Sequence, residues 1–283
     1  MTQESHHALP SFLCIGTQKA GTSWLFEQIR QHPNVWLPPI KELHYFDHVY
    51  CLDNREWTQW HIKKNAKSII EHHIKRQHVD FDYIRYIASI ASGVLFSERW
   101  YRAIFERPAA LEMKTGDITP EYCAIGNDGI RYLRELLGEP KLIWFVRDPL
   151  QRALSQLRMN ASRHLQTNTP TKQQWSDLSR DPVIFDRGNL SEYIPQWEAQ
   201  FLAESILYIP FKEISKHPTA VLRKVEDHIG IPPFSGYSAP EKIIHKTPLM
   251  NIPESVIKDL HAALTPQYDF LEKRFGKEFC DLT

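Results

Sequence analysis

Short apolar runs recur along the chain at about Phe12–Ile15, Val35–Leu37, Ala110–Met113, Leu142–Val146 and Ile206–Ile209. Each is too short to build a helix face and sits between turn-forming residues, which predicts strands. Leu142–Val146 is unbroken by polar residues, as expected of a strand covered on both faces. Between the runs, Ser23–Gln31, Gly129–Leu137 and Ala220–His228 carry helical patterns. Strands alternating with helices predict an α/β fold, a central parallel β-sheet flanked by helices on both faces. A length of 283 residues suits one domain over 1–283. Residues 53–107 and 162–187 interrupt the alternation. They read either as lids over a substrate pocket or as ordinary peripheral helices and loops. Late in the chain, Val256, Leu260 and Leu264 form one stripe of a helix that packs internally or in a dimer.

The first predicted strand runs directly into Gly16-Thr17-Gln18-Lys19-Ala20-Gly21-Thr22-Ser23 and then a helix. A Gly-bounded turn before a helix points backbone N–H groups and the helix N-terminus at one spot, which suits a phosphate or a similar anion. A nucleoside-triphosphate loop of the form G-x-x-x-x-G-K-[ST] would place lysine after the second glycine. Here Thr22 holds that position and the lysine is inside the loop, at Lys19. The cradle is kept and the cation is moved.

The fourth predicted strand ends in Arg147-Asp148-Pro149, with Ser155 further on. Arg147 falls at the carboxyl end of the strand, where open α/β sheets bind ligands. Asp148 and Pro149 suit the N-cap and first position of a helix, and Ser155 lies nearly two turns into it. Arg147 and Ser155 either converge on one phosphate or are a surface arginine and a solvent-facing serine. Lys41-Glu42-Leu43-His44-Tyr45-Phe46-Asp47 follows Pro38-Pro39 and offers Glu42 as a general base and His44 as an acid/base or hydrogen-bond partner. His44 and His48 have an i, i+4 metal-like spacing, but no third ligand is placed and no full zinc signature is present, so no metal is expected.

Together these segments resemble those of sulfotransferases that use 3′-phosphoadenosine 5′-phosphosulfate (PAPS). The Gly16–Ser23 loop is similar to the family's 5′-phosphosulfate loop, Arg147 to Ser155 to its 3′-phosphate segment, and Lys41–Asp47 to the stretch bearing the catalytic Glu in the glycan and bacterial branches. Gly116-Asp117-Ile118-Thr119-Pro120-Glu121-Tyr122 resembles G-E-K-T-P-x-Y, and Ile206–Ile214 with His217-Pro218 resembles the late strand and helix. The resemblance implies a P-loop NTPase-like sulfotransferase fold. It implies PAPS as co-substrate, adenosine 3′,5′-bisphosphate (PAP) as product, and no required metal. It assigns Lys19, Glu42 and His44 to catalysis, and Gln18, Lys19, Ala20, Gly21, Thr22, Ser23, Arg147, Ser155 and Lys246 to the nucleotide. One departure is Ile118, which replaces a family lysine, with Lys114 nearby but out of register.

Charge and targeting bear on the acceptor. The chain has 34 basic and 34 acidic residues, which gives no support for nucleic acid or a heparan-type polyanion. The N-terminus lacks a basic-then-apolar signal pattern, no run reaches the length of a membrane span, and Cys14, Cys51, Cys123 and Cys280 form no CxxC pair. The expectation is a cytoplasmic enzyme that sulfates a hydroxyl or amine of a small molecule, as in metabolite or natural-product tailoring, with neither nucleic acid nor membrane as partner. The alternatives are a carbohydrate O-sulfotransferase, a P-loop nucleotide kinase, and a non-catalytic nucleotide-binding module. Trp24 either stacks on adenine or packs the first helix.

Overall fold

The computed structural model describes residues 9–107, 110, 112–165, 169–242 and 250–283. Its centre is a five-stranded parallel sheet of β1 (Phe12–Gly16), β2 (Val35–Trp36), β3 (Lys114–Ile118), β4 (Lys141–Val146) and β5 (Ile206–Pro210), in the order β2-β3-β1-β4-β5. From β1 the chain crosses to the edge strand β2, comes back to β3 beside β1, and then passes to β4 and β5 on the other side. The carboxyl end of β1 therefore sits at the topological switch point, where such sheets bind ligands.

Alternate residues of each strand serve opposite faces. Phe12, Cys14, Ile143 and Phe145 pack with α1 (Thr22–Ile29) and with Val221, Leu222 and Val225 of helix Pro218–Ile229. Leu13, Ile15, Leu142 and Trp144 pack on the other face, with Ile130 and Leu133 of helix Gly126–Leu137 and with Ile194 and Trp197 of helix Leu190–Glu198. A third apolar cluster joins Leu154 and Leu157 of helix Pro149–His164 to Val256, Leu260 and Leu264. The late amphipathic stripe is thus covered within the chain. Among the described residues, no helix is long and apolar enough to cross a membrane.

Four strand positions agree with the apolar runs. The third does not: the strand is Lys114–Ile118, just after the expected Ala110–Met113. Its sequence Lys-Thr-Gly-Asp-Ile looks polar because its side chains are matched by specific partners. Gly116 leaves room for the Phe12 ring, whose nearest atom would lie 2.2 Å from an added Cβ. The buried Asp117 carboxyl accepts from the hydroxyls of Tyr101 (3.0 Å), Tyr122 (2.7 Å) and Thr119 (2.8 Å). Burial raises the Asp117 pKa despite these donors.

The segment 53–107 contains helices Arg55–Ile74, Phe81–Ile90 and Glu98–Phe105. Helices Lys172–Ser179 and Pro182–Asp186 fall within 162–187.

Candidate active site

The loop after β1 is shaped around its main chain. Gly21 is the N-cap of α1 with φ 98°, and a Cβ there would lie 2.4 Å from the Ile214 side chain. Only glycine fits both the left-handed backbone and that approach. No side chain caps α1, so its first N–H groups are left for an anion. Trp144 Nε1 donates to Thr17 Oγ1 at 3.0 Å and fixes the start of the loop against β4.

Arg147 emerges at the end of β4 and its guanidinium donates to the Lys19 carbonyl at 2.6 Å. It also lies over the Phe211 ring, 4.4 Å from its centroid. Its Nε is buried without a hydrogen-bond partner. The loop and the arginine are thereby one unit. Burial, then Arg163 and Arg147, pull the Lys19 ammonium down to about 8. Burial, with Arg158 against it and Asp148 in its favour, brings Arg147 to about 10. These cations repel one another around the loop, and a multiply charged anion would relieve that repulsion, so the residues present fit a phosphosulfate nucleotide. Asp148 caps the following helix by accepting from Gln151 N at 2.8 Å. Ser155 lies half-buried on that helix.

Glu42 and His44 precede helix Tyr45–Tyr50, with φ of 63° and 54°. Lys19 also has positive φ, at 69°. All three proposed catalytic residues therefore sit in left-handed backbone, a conformation that costs on the order of 1–3 kcal/mol for a non-glycine residue and gathers at functional sites. Glu42 is ion-paired with Lys41 through one oxygen, and its other oxygen lies 3.7 Å from His44 Nε2. Burial works to raise the Glu42 pKa, but Lys41 and then His44 outweigh it and hold the carboxyl well below its usual range. His44 is fully buried, and its Nδ1 meets Asp47 Oδ2 at 3.0 Å. Burial opposes its charge, yet Asp47, Glu42 and Glu121 prevail and raise it to about 10. At neutral pH the pair is thus a carboxylate beside an imidazolium.

Several neighbours were not singled out as site residues from sequence. Asp47 orients His44 and also accepts from Asn54 Nδ2 at 2.8 Å. Trp57 and His61, from the first helix of the 53–107 segment, face the His44 ring with centroids 4.6 and 4.8 Å away. Glu121 accepts from Gln18 Nε2 and from an Arg187 nitrogen, each at 2.7 Å. Gln18 is therefore tied to a carboxylate 103 residues later. Arg187 in turn lies 5.7 Å from the Trp57 ring centroid. The first interrupting segment thus places Trp57 and His61 on the His44 ring, and the second brings Arg187 to Glu121 and Trp57.

His48 bonds Thr58 at 2.7 Å and stacks on Phe96, so it makes no metal pair with His44. Among the described residues, the grouping able to offer metal ligands is Glu42, His44 and His61, whose ligand atoms lie within 4.8 Å. Ile118 is buried among Phe12, Ile143 and their neighbours. Lys114 is exposed at the opposite, amino end of β3 and cannot stand in for the missing lysine. Trp24 packs: its Nε1 donates to the Pro240 carbonyl at 2.6 Å and its ring meets Phe145 edge-on. Lys246 lies outside the described residues.

Residues 10–236 match the model of the sulfotransferase family. Among curated relatives, the chain is 22% identical to heparan sulfate glucosamine 3-O-sulfotransferase 3A1 of Mus musculus over 82% of its length, and 29% identical to the membrane-associated sulfotransferase kil1 of Dictyostelium discoideum over 52%. The matches cover 48% and 22% of those two proteins, so the chain spans less than half the length of either. In fold, it is similar to a sulfotransferase from Alicyclobacillus acidocaldarius, with a TM-score of 0.59 and 19% identity over 93% of this chain and 94% of that one. It is also similar to the sulfotransferase domain from the curacin biosynthetic pathway, with a TM-score of 0.53 and 16% identity over 91% and 98%. With the family match spanning most of its length, this chain belongs to the sulfotransferase family.

Proposed function

We propose that this chain moves a sulfuryl group from PAPS to a hydroxyl or amine of a small-molecule acceptor. The observation that carries this reading is the junction of Arg147 with Lys19, which fixes a cationic loop next to an ionised Glu42. The acceptor atom forms a bond to sulfur, the bond from sulfur to the bridging oxygen breaks, PAP leaves, and the acceptor proton passes to Glu42.

Each group has a defined task in that scheme. The N–H groups of Ala20, Gly21, Thr22 and Ser23, with the Thr22 and Ser23 hydroxyls, hold the 5′-phosphate. Lys19 stabilises charge on the bridging oxygen as it departs. Arg147 and Ser155 hold the 3′-phosphate, and Lys246 is proposed to join them. His44, already protonated, cannot take a proton; it orients Glu42 and the acceptor. Gln18 supports the loop through Glu121. The transferred group carries less charge than a γ-phosphoryl, so no metal is called for. Trp57, His61 and Arg187 form the acceptor side.

A carbohydrate acceptor is the second reading. It is favoured by the sequence likeness to the heparan sulfate enzyme over 82% of the chain. A formal charge of zero weighs against a polyanionic chain as acceptor.

The test is release of PAP from PAPS with phenol, alcohol and amine acceptors, for wild type and Glu42→Gln. Wild type should turn over without added metal. Glu42→Gln should bind PAP normally and lose about a hundred- to ten-thousandfold in turnover, the usual contribution of a positioned base. Undiminished turnover in Glu42→Gln would remove the proposed base.

A further inference from the structure

A second basic site lies away from the nucleotide loop, over the edge strand β2. There a groove of about 690 Å³ separates Trp36 and the following Pro38-Pro39 from the helices of the 53–107 segment. Arg30, Arg76 and Arg107 line it, and no carboxylate does among the described residues. Glu27, 3.5 Å from Arg30, is outside the lining.

All three arginines line the groove together with Tyr83 and Tyr86. Burial raises the Tyr83 phenol, and the influences opposing it are Arg76, Arg30 and Arg107. Arg107 also lies over the Tyr86 ring at 4.5 Å. Beside Tyr83, at 4.9 Å between ring centroids, is His73. His73 Nε2 accepts from the Asp80 backbone N–H at 3.0 Å, which places the ring proton of the neutral tautomer on Nδ1. That Nδ1 is buried without a partner, in a residue only 7% exposed. An unpaired buried donor is costly and rare in folded proteins. Three arginines line a space with no carboxylate among its described walls, while Trp36, Tyr83 and Tyr86 supply aromatic surface.

We propose that this groove is a second anion-binding site, for an organic anion (sulfate ester, sulfonate, phosphate or carboxylate) carried on an aromatic or apolar body. The anionic head meets the arginines, and the body lies against Trp36. Through the chain the groove is joined to both parts of the site: Pro38-Pro39 lead into Lys41 and Glu42, and Phe26 lies on α1, which follows the nucleotide loop. The proposal does not depend on which group the enzyme sulfates.

Calorimetric titration with naphthalene-2-sulfonate, and with the neutral naphthalene-2-sulfonamide, tests it on the whole chain. The sulfonate should bind at least about tenfold more tightly than the sulfonamide, a charge-dependent margin typical of hydrogen-bonded ion recognition. It should bind at least about tenfold more weakly to Arg30→Gln/Arg76→Gln, two exposed positions whose replacement leaves the core untouched. PAP affinity should be unchanged in that variant, and PAP should not displace the sulfonate. Equal binding of the two probes, full binding to the double variant, or displacement by PAP would each overturn the proposal.

Discussion

His44 Nδ1 and Asp47 Oδ2 lie 3.0 Å apart in a pocket closed to solvent, with Glu42 3.7 Å from the other ring nitrogen. Charge is thereby passed along a row: Asp47 favours a protonated His44, and His44 favours an ionised Glu42. Replacing Asp47 with Asn keeps the shape and removes the charge. His44 should then lose its proton at a lower pH, and turnover should fall by about ten- to a hundredfold, taken by analogy from the loss of carboxylates that orient metal-bound histidines. The fall should be in kcat rather than in PAP affinity, and the alkaline limb of the pH–rate profile should move to lower pH. A purely structural role would leave that limb in place.

Lys41 has the reverse influence. Its ammonium is the main group opposing burial at Glu42. In Lys41→Met the carboxyl pKa should rise, so the acidic limb of kcat/KM should shift to higher pH. Rates well above the shifted limb should stay within about tenfold of wild type, since a more basic carboxylate is a better proton acceptor. A shift to lower pH would contradict the assignment of Glu42.

Donor binding should take up protons. Lys19 is depressed to about 8, first by burial and then by Arg163 and Arg147. A bound anion favours the ammonium and raises that pKa. Above pH 8 the free enzyme is increasingly uncharged at Lys19, so affinity for PAP should weaken as pH rises from 8 to 9. Calorimetry in buffers of different ionisation enthalpy should record proton uptake in this range. Lys19→Met should abolish the uptake.

The parts of this architecture written in local sequence were readable from it. Phe12–Gly16 and Lys141–Val146 announce themselves as buried strands, and Asp148-Pro149 announces a helix start that the Asp148 cap bears out. The third strand was displaced because its own sequence looks polar and is accommodated by distant partners: the Phe12 ring fills the space at Gly116, and three hydroxyls satisfy Asp117. The same reason hid Glu121. Its role as the link between Gln18 and Arg187 depends on residues 103 before and 66 after it, which no spacing pattern connects. Trp57 and His61 lie in a helix whose function is set by tertiary contact with His44. Asp47 alone carried a local signal, three residues after His44 and one turn along the same segment.

On the proposed function, the loop around Lys19, clamped by Arg147, is a site for a 3′-phosphorylated nucleotide. Calorimetric binding of PAP, set beside ATP with Mg²⁺, on wild type and Arg147→Ala tests it most directly. PAP should bind preferentially, and Arg147→Ala should weaken it by at least about tenfold, as expected on losing a charge-assisted phosphate contact. Preference for Mg·ATP, with affinity indifferent to Arg147, would contradict it.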